Sequence, residues 1–399
     1  MLAQTPPMGW NSWNTFGSKI NADVVRESAD KFIELGLDKA GYQYVVIDDC
    51  WSLHDRDPKT HRIVADPEKF PKGMKDVADY VHSKGLKFGM YSCAGVRTCG
   101  NYPGSFDHEF LDARTFAEFG VDFLKYDFCY RPENADGPLL YRRMGQALRT
   151  CGREILFSAC NWGCDDVWGW IRSAGAHMYR STGDIFDNFK SFTDIMWSQT
   201  PQSSRIDWNA APDAYKAAVR AAGGSAANAP GCWNDTDMLT VGMFGKGNVA
   251  NGGCTATDYK TQFALWCFMG TPLMLGADLR KLDAEMVKLV TNKGLIELNQ
   301  DPEARPAYYA TNQPWGQDRI VLARLLAGGD IAIGFFNLSE DDSRIYLYTE
   351  TMGIPDAAGV DLKVRDVITG EDCGVWREFA DPLVPKHDCR VFRATPVWR

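Results

Sequence analysis

Short apolar runs alternate with longer segments of helical periodicity over the first three quarters of the chain, and this alternation constrains the fold most strongly. Eight apolar runs recur at intervals of roughly 35 to 40 residues. Their positions are 8–13, 44–48, 86–91, 121–126, 155–159, 177–181, 231–235 and 272–276. This pattern predicts an α/β fold, a (β/α)8 barrel of the TIM type. A doubly wound open sheet is the alternative, but no GxGxxG fingerprint follows the first strand to support it.

The pattern changes after about residue 302. From there, short β-rich runs such as RIVLARLL and IAIGFFNL are separated by turn residues such as AGGD and SEDD. We therefore predict a barrel over residues 1–302 and a C-terminal antiparallel β-sandwich over residues 303–399. The stretch from Gln199 to Pro230 is rich in Ala, Ser, Gly and Pro and is long for a connection, so a lobe or lid is expected there.

Composition restricts the partners. The net charge of -9 argues against nucleic acid or an anionic membrane, and no apolar run is long enough to span a bilayer. No signal peptide is visible, so a cytoplasmic location is expected for the sequence as given, and a secreted one if a signal preceded it. The 12 cysteines show no CxxC pair, and neither cofactor nor metal is predicted, although oxygen ligands for Mg or Ca stay an alternative. Whether the chain forms a homo-oligomer is left open.

The stretch FLKYDFC, residues 123–129, ends a buried strand in charged residues. In a barrel of parallel strands, Lys125 and Asp127 would point into the floor of the active site. An ammonium beside a carboxylate keeps that carboxylate ionised, which a nucleophilic aspartate needs. A partly buried structural ion pair is the alternative reading of this stretch alone.

Polar and aromatic residues follow the other predicted strands as well. The full set is Trp13, Asp48, Asp49, Tyr91, Lys125, Asp127, Asn161, Trp162, Arg180, Asp184, Asp235 and Asp237. Several carboxylates thus converge on the rim where barrel enzymes carry their sites. Neither a phosphate loop nor a Ser/His/Asp order is present. Paired carboxylates among stacking aromatic rings are typical of glycoside hydrolysis.

Five motifs in order, PPMGWNSW, IDDCW, TFAEFGVDFLKYD, RSTGD and WNDTDML, resemble glycoside hydrolase family 27, the α-galactosidases and α-N-acetylgalactosaminidases. The resemblance covers nearly the whole chain. It implies that Asp127 is the nucleophile and Asp184 the general acid and base, with Arg180 holding substrate hydroxyls. The implied mechanism is double displacement with retention, for which the two carboxyl groups lie about 5 to 5.5 Å apart. A raised pKa is expected for Asp184, while Asp127 stays ionised.

The same resemblance assigns binding roles to other strand-end residues. Asp48 and Asp49 would accept hydrogen bonds from the 4- and 6-hydroxyls of galactose, and Trp13 would stack on the ring. Cys99 and Cys129 match a pair that forms a disulfide beside the site in the family. The remaining pocket residues implied are Tyr91, Lys125, Trp162, Asp237 and Met238.

The stretch SACNWGC departs from the family pattern. Family α-galactosidases usually carry Glu where this chain has Asn161, and the α-N-acetylgalactosaminidases carry Ser there. Asn161 can still hydrogen-bond a 2-hydroxyl, and Cys164 leaves room nearby. The sequence therefore predicts a retaining exo-α-galactosidase that acts on oligosaccharides or glycoconjugates. An α-N-acetylgalactosaminidase, a β-L-arabinopyranosidase and an inactive carbohydrate-binding protein are the alternatives.

Overall fold

The computed structural model describes residues 2–199, 228–310 and 318–399. Most of the predicted lid lies outside the described residues. Eight parallel strands form one sheet in the spatial order β7-β6-β5-β4-β3-β2-β1-β8. They are β1 Met8–Asn11, β2 Tyr44–Val46, β3 Lys87–Cys93, β4 Phe123–Asp127, β5 Leu156–Ala159, β6 Met178–Arg180, β7 Trp233–Asp235 and β8 Leu273–Leu275. Each predicted strand overlaps an observed one, and the predicted barrel is confirmed.

Leu239 closes the barrel between β7 and β8. Its N–H donates to the Met274 carbonyl at 2.8 Å, and its own carbonyl accepts from the Gly276 N–H at 2.9 Å. All 3 residues of β8 and all 3 of β7 are buried, as expected for strands covered on both faces. Because the strands run parallel around a closed sheet, all their carboxyl ends meet at one rim.

Helices cover the outer face of the barrel. Asn21 precedes helix α2 (Ala22–Glu34) and caps it by accepting a hydrogen bond from the Val24 N–H at 2.9 Å. Thr255 and Asp258 form a capping box at the start of helix α8 (Ala256–Met269). The bounds are α1 Trp13–Phe16, α2 Ala22–Glu34, α3 Leu37–Ala40, α4 Gly73–Ser83, α5 Glu109–Phe119, α6 Gly137–Thr150, α7 Phe189–Gln199, α8 Ala256–Met269, α9 Ala284–Val290 and α10 Lys293–Asn299. No helix among the described residues has the length and apolarity needed to cross a membrane.

The C-terminal part is antiparallel β structure, which confirms the predicted sandwich. Six strands form one sheet in the order β15-β14-β18-β11-β10-β9, and two smaller pairs, β12 with β17 and β13 with β16, accompany it. A separate apolar core, which includes Phe335 and Phe392, lies within it. The strands are β9 Tyr308–Tyr309, β10 Arg319–Leu325, β11 Ile331–Asn337, β12 Ser343–Arg344, β13 Leu347–Tyr348, β14 Val360–Asp366, β15 Asp372–Trp376, β16 Phe379–Ala380, β17 Leu383–Val384 and β18 Cys389–Trp398.

Helix α8 joins the barrel to the sandwich. It is buried on nearly every side, so it has apolar residues all round rather than one apolar stripe. Arg324 of β10 is buried and donates to the Leu298 carbonyl at 3.0 Å, and the Thr261 hydroxyl donates to the His387 carbonyl at 2.7 Å. These hydrogen bonds satisfy polar groups that the junction takes out of water.

Candidate active site

A pocket of about 200 Å³ opens at the carboxyl rim of the barrel. It brings together twelve of the fifteen residues that the sequence singled out for the site. They are Trp13, Asp48, Asp49, Tyr91, Cys99, Lys125, Asp127, Trp162, Arg180, Asp184, Asp237 and Met238. The three that do not line it are Cys129, Asn161 and Asp235, and Asp235 is buried at the end of β7.

Strand β4 places Asp127 at the base of the pocket. In the register of the sheet Asp127 lies beside Cys93, and Lys125 lies beside Tyr91 on the same neighbouring strand. The buried Asp127 carboxylate accepts from the Phe128 N–H at 2.9 Å and from the Tyr91 hydroxyl at 3.0 Å. Burial raises the pKa of Asp127 to about 6, and the nearby Lys125 ammonium limits that rise.

A second group of charges lies beside Asp127 at the ends of β1 and β2. The Asp48 carboxylate accepts from Lys125 Nζ at 2.9 Å and from Asn11 Nδ2 at 2.8 Å. Burial would lower the pKa of Lys125, but the carboxylate of Asp48 raises it overall, so the ammonium stays charged. Asp49 accepts backbone N–H groups of Cys50 and Gly100, each at 2.7 Å. Both carboxylates are therefore held rigidly.

The third group follows β6. Arg180 is buried and its Nη2 contacts Asp237 at 2.9 Å and Asp184 at 3.1 Å. The side chain of Asp184 is 67% exposed, in contrast to the 6% exposure of Asp237. Burial raises the pKa of Asp184 in part, but Arg180 and Lys125 hold it below its ordinary value overall. The expected raised pKa of Asp184 is therefore not observed, because its cationic neighbours outweigh burial.

Aromatic side chains and a disulfide complete the walls. Trp13 follows β1, and the Trp162 ring packs edge-on against Phe128 with ring centroids 6.3 Å apart. The predicted disulfide between Cys99 and Cys129 is confirmed. The Tyr91 hydroxyl lies 3.3 Å from the sulfur of Cys99. Cys129 thus contributes to the site through its bond to Cys99 rather than by lining the pocket.

Asn161 does not reach the pocket. It is fully buried, and its Nδ2 donates to the carbonyl of Cys164 at 2.8 Å. The chain turns sharply after β5, because Trp162 and Gly163 have φ values of 60° and 85°. This turn directs the amide to the backbone of its own loop. Asn161 therefore does not line the pocket, and its hydrogen bond to a 2-hydroxyl stays a prediction.

Sequence reasoning missed five lining residues. Four of them lie on loops without a periodic pattern, and Asn14 lies in α1, one position after Trp13. They are Asn14, Ile185, Phe186, Asn248 and Val249. The glycine-rich stretch before Asn248 was the available signal. Gly247 has a φ of 106°, and a Cβ on it would lie 2.8 Å from the Asn14 carbonyl oxygen and clash.

A (β/α)8 barrel whose rim carries acidic pairs among stacking aromatic rings defines a glycoside hydrolase. Residues 5–301 match the family model described as alpha galactosidase A, and residues 316–394 match the alpha galactosidase C-terminal beta sandwich domain. The chain belongs to this family, glycoside hydrolase family 27.

Individual relatives agree with this assignment. An alpha-galactosidase of Cyamopsis tetragonoloba is 38% identical over 404 residues, which span 99% of this chain and 87% of the relative. The crystal structure of alpha-galactosidase I from Mortierella vinacea has a TM-score of 0.84 at 30% identity and covers 99% of this chain and 98% of that one. The alpha-galactosidase from Saccharomyces cerevisiae, solved with raffinose, has a TM-score of 0.83 at 26% identity, with coverage of 99% and 98%.

Proposed function

We propose that this protein hydrolyses terminal α-linked galactose from oligosaccharides or glycoconjugates, with retention of the anomeric configuration. The observation that carries the mechanism is the pair Asp127 and Asp184, two carboxylates that line one pocket from different strand ends. A retaining glycosidase needs one carboxylate as nucleophile and a second that alternates between acid and base. Family membership supports the substrate class, since the relatives named above are alpha-galactosidases.

Asp48 and Asp49 supply acceptors for sugar hydroxyls. Their carboxylates are buried, and both line the pocket. Hydrogen bonds to an ionised acceptor are about twice as strong as neutral ones. Lys125, held by Asp48, presents N–H donors from the same side. Such fixed charges select a sugar by the positions of its hydroxyl groups.

In the first chemical step, an oxygen of Asp127 attacks the anomeric carbon. The bond from that carbon to the glycosidic oxygen breaks, and Asp184 donates its proton to the departing oxygen. In the second step, the Asp184 carboxylate removes a proton from water. The water oxygen then bonds to the anomeric carbon and the ester to Asp127 breaks. Both side chains return to their starting states.

Substrate binding changes the pKa of Asp184. Its side chain is largely exposed, and Arg180 favours the ionised form. A bound glycoside covers this carboxylate and removes water, which raises the pKa of the acid toward the value that proton donation requires. Asp127 is buried already, so its environment changes less on binding.

Hydrolysis of nitrophenyl α-galactoside followed by NMR tests the proposal. We expect α-galactose as the first-formed sugar, because two displacements restore the configuration. First appearance of β-galactose would contradict a retaining mechanism. The 2-acetamido analogue, assayed in parallel, separates the galactosidase from an α-N-acetylgalactosaminidase, and raffinose tests cleavage of a natural oligosaccharide linkage.

A further inference from the structure

The segment that carries Asp184 has little support of its own. Residues 181–186 belong to neither a helix nor a strand, and the side chain of Asp184 is 67% exposed. Its carboxylate contacts Arg180 at 3.1 Å, and the next residue, Ile185, donates its N–H to Asp237 at 2.8 Å. A general acid must lie within hydrogen-bond reach of the departing oxygen, so an irregular segment needs an anchor elsewhere.

Asp187 forms such an anchor three residues after Asp184. Its side chain is fully buried, and its carboxylate accepts from the Gly245 N–H at 2.7 Å and from the Tyr259 hydroxyl at 2.8 Å. The nearby side chains of Thr240 and Cys254 also favour its ionised form. The two donors come from separate parts of the chain, a loop and helix α8, and they converge on one carboxylate.

The backbone of Asp187 joins the same network. Its N–H donates to the Val249 carbonyl at 3.1 Å, and its carbonyl accepts from the Gly253 N–H at 2.8 Å. Gly253 and Gly245 pack so closely that a Cβ on Gly253 would lie 2.7 Å from the Gly245 nitrogen. The acid segment is thus fastened to the loop that supplies Val249 to the pocket wall.

A contribution to folding stability does not by itself explain why a carboxylate is buried at position 187. No Lys, Arg or His of the described ranges lies within ion-pair distance of it, and burial raises its pKa. A buried charge with hydrogen bonds but no cation is costly, because burial penalises the ionised form. The carboxylate instead binds donors from separate segments at one point, and these hydrogen bonds fix the loop in one conformation.

We propose that Asp187 is a positioning residue that holds the acid/base segment so that Asp184 meets the glycosidic oxygen. The inference rests on the proposed role of Asp184. Asp187 does not touch the pocket and acts only through the position of Asp184. Its loss therefore affects substrates in proportion to their need for proton donation.

Leaving-group dependence of kcat/KM tests this directly. A dinitrophenyl α-galactoside departs without a proton, whereas methyl α-galactoside requires one. For Asp187→Ala we expect kcat/KM on the methyl glycoside to fall about 10- to 100-fold and that on the dinitrophenyl glycoside by less than about threefold. Asp187→Asn, which keeps the shape and one acceptor, and Tyr259→Phe should show smaller losses with the same selectivity.

Two controls make the outcomes distinct. Asp361→Asn removes a buried carboxylate that pairs with Arg377 and Arg399 in the sandwich, and it should show no leaving-group dependence. Asp184→Ala should show the strongest dependence. Equal losses on both substrates in the soluble Asp187 and Tyr259 variants would overturn the inference and leave a structural role. Absence of leaving-group dependence in Asp184→Ala itself would overturn the proposed function instead.

Discussion

The two carboxylates of the pocket reach it by different routes. Asp127 is the last residue of β4, is buried, and is fixed by the register of the sheet and by hydrogen bonds from Phe128 and Tyr91. Asp184 lies on an irregular segment after β6, is largely exposed, and depends on distant groups for its position. The comparison indicates that the barrel holds its nucleophile by local structure, whereas contacts between segments distant in sequence position the acid.

Removal of Asp127 should have the largest effect. For Asp127→Ala we expect kcat on nitrophenyl α-galactoside to fall by at least about 10⁴-fold, because the variant lacks the carboxylate that forms the covalent intermediate. Azide should restore part of the activity and yield β-galactosyl azide, since it attacks from the face that Asp127 vacates. Near-normal activity in the variant would contradict the role of Asp127 as the nucleophile.

Removal of Asp184 should have a smaller effect that varies with the substrate. For Asp184→Ala we expect kcat/KM on raffinose to fall about 10²- to 10⁴-fold, the usual worth of general acid catalysis. The decrease should be much less for an activated aryl galactoside. Steady-state kinetics on both substrates measure the difference between the two carboxylates, and identical losses would contradict their division of roles.

The ion pair between Lys125 and Asp48 should contribute to the free energy of unfolding. Lys125→Met leaves Asp48 buried without its cation, so the free energy of unfolding should fall by about 3 to 5 kcal/mol at neutral pH, as measured in urea. Lys75→Met, which breaks an exposed pair with Asp79, is the matched control, and its effect should stay within about 1 kcal/mol.

Lys125→Met should also shift the acid limb of the pH profile of kcat/KM. In the wild type, burial raises the pKa of Asp127 to about 6, so we expect activity to increase as pH rises through this value and Asp127 ionises. Because the native state raises this pKa, that ionisation also lowers stability as pH rises from about 4 to 6. Lys125 lowers the pKa of Asp127, so its removal should move the acid limb of the kcat/KM profile to higher pH. A shift to lower pH would contradict the electrostatic account.

The sequence predicted the positions set by the barrel strands better than the positions set by contacts between loops. All eight barrel strands were located because they are short, apolar and buried on both faces, and Asp127 followed from its position at a strand end. Asn248 and Asp187 were missed since their positions depend on hydrogen bonds between loops distant in sequence. The sequence places Asn161 at the pocket by its position after a strand and by the family resemblance. The hydrogen bond that holds its amide inside the loop leaves no periodic signal in the sequence.

Replacement of Asn161 should have the smallest effect on selectivity. Because its amide bonds the Cys164 carbonyl inside the loop, Asn161→Ser should change the ratio of activities on the galactoside and its 2-acetamido analogue by less than about threefold. A larger change toward the acetamido sugar would indicate that this loop rearranges on binding and that Asn161 reads the 2-position.

The central claim is that Asp127 becomes covalently bonded to the sugar. The most direct measurement is mass spectrometry of the protein after reaction with 5-fluoro-α-galactosyl fluoride, which forms the intermediate quickly and releases it slowly. We predict one added fluorogalactosyl group on the peptide that contains Asp127. An adduct on the Asp184 peptide, or turnover without any adduct on Asp127, would contradict the account.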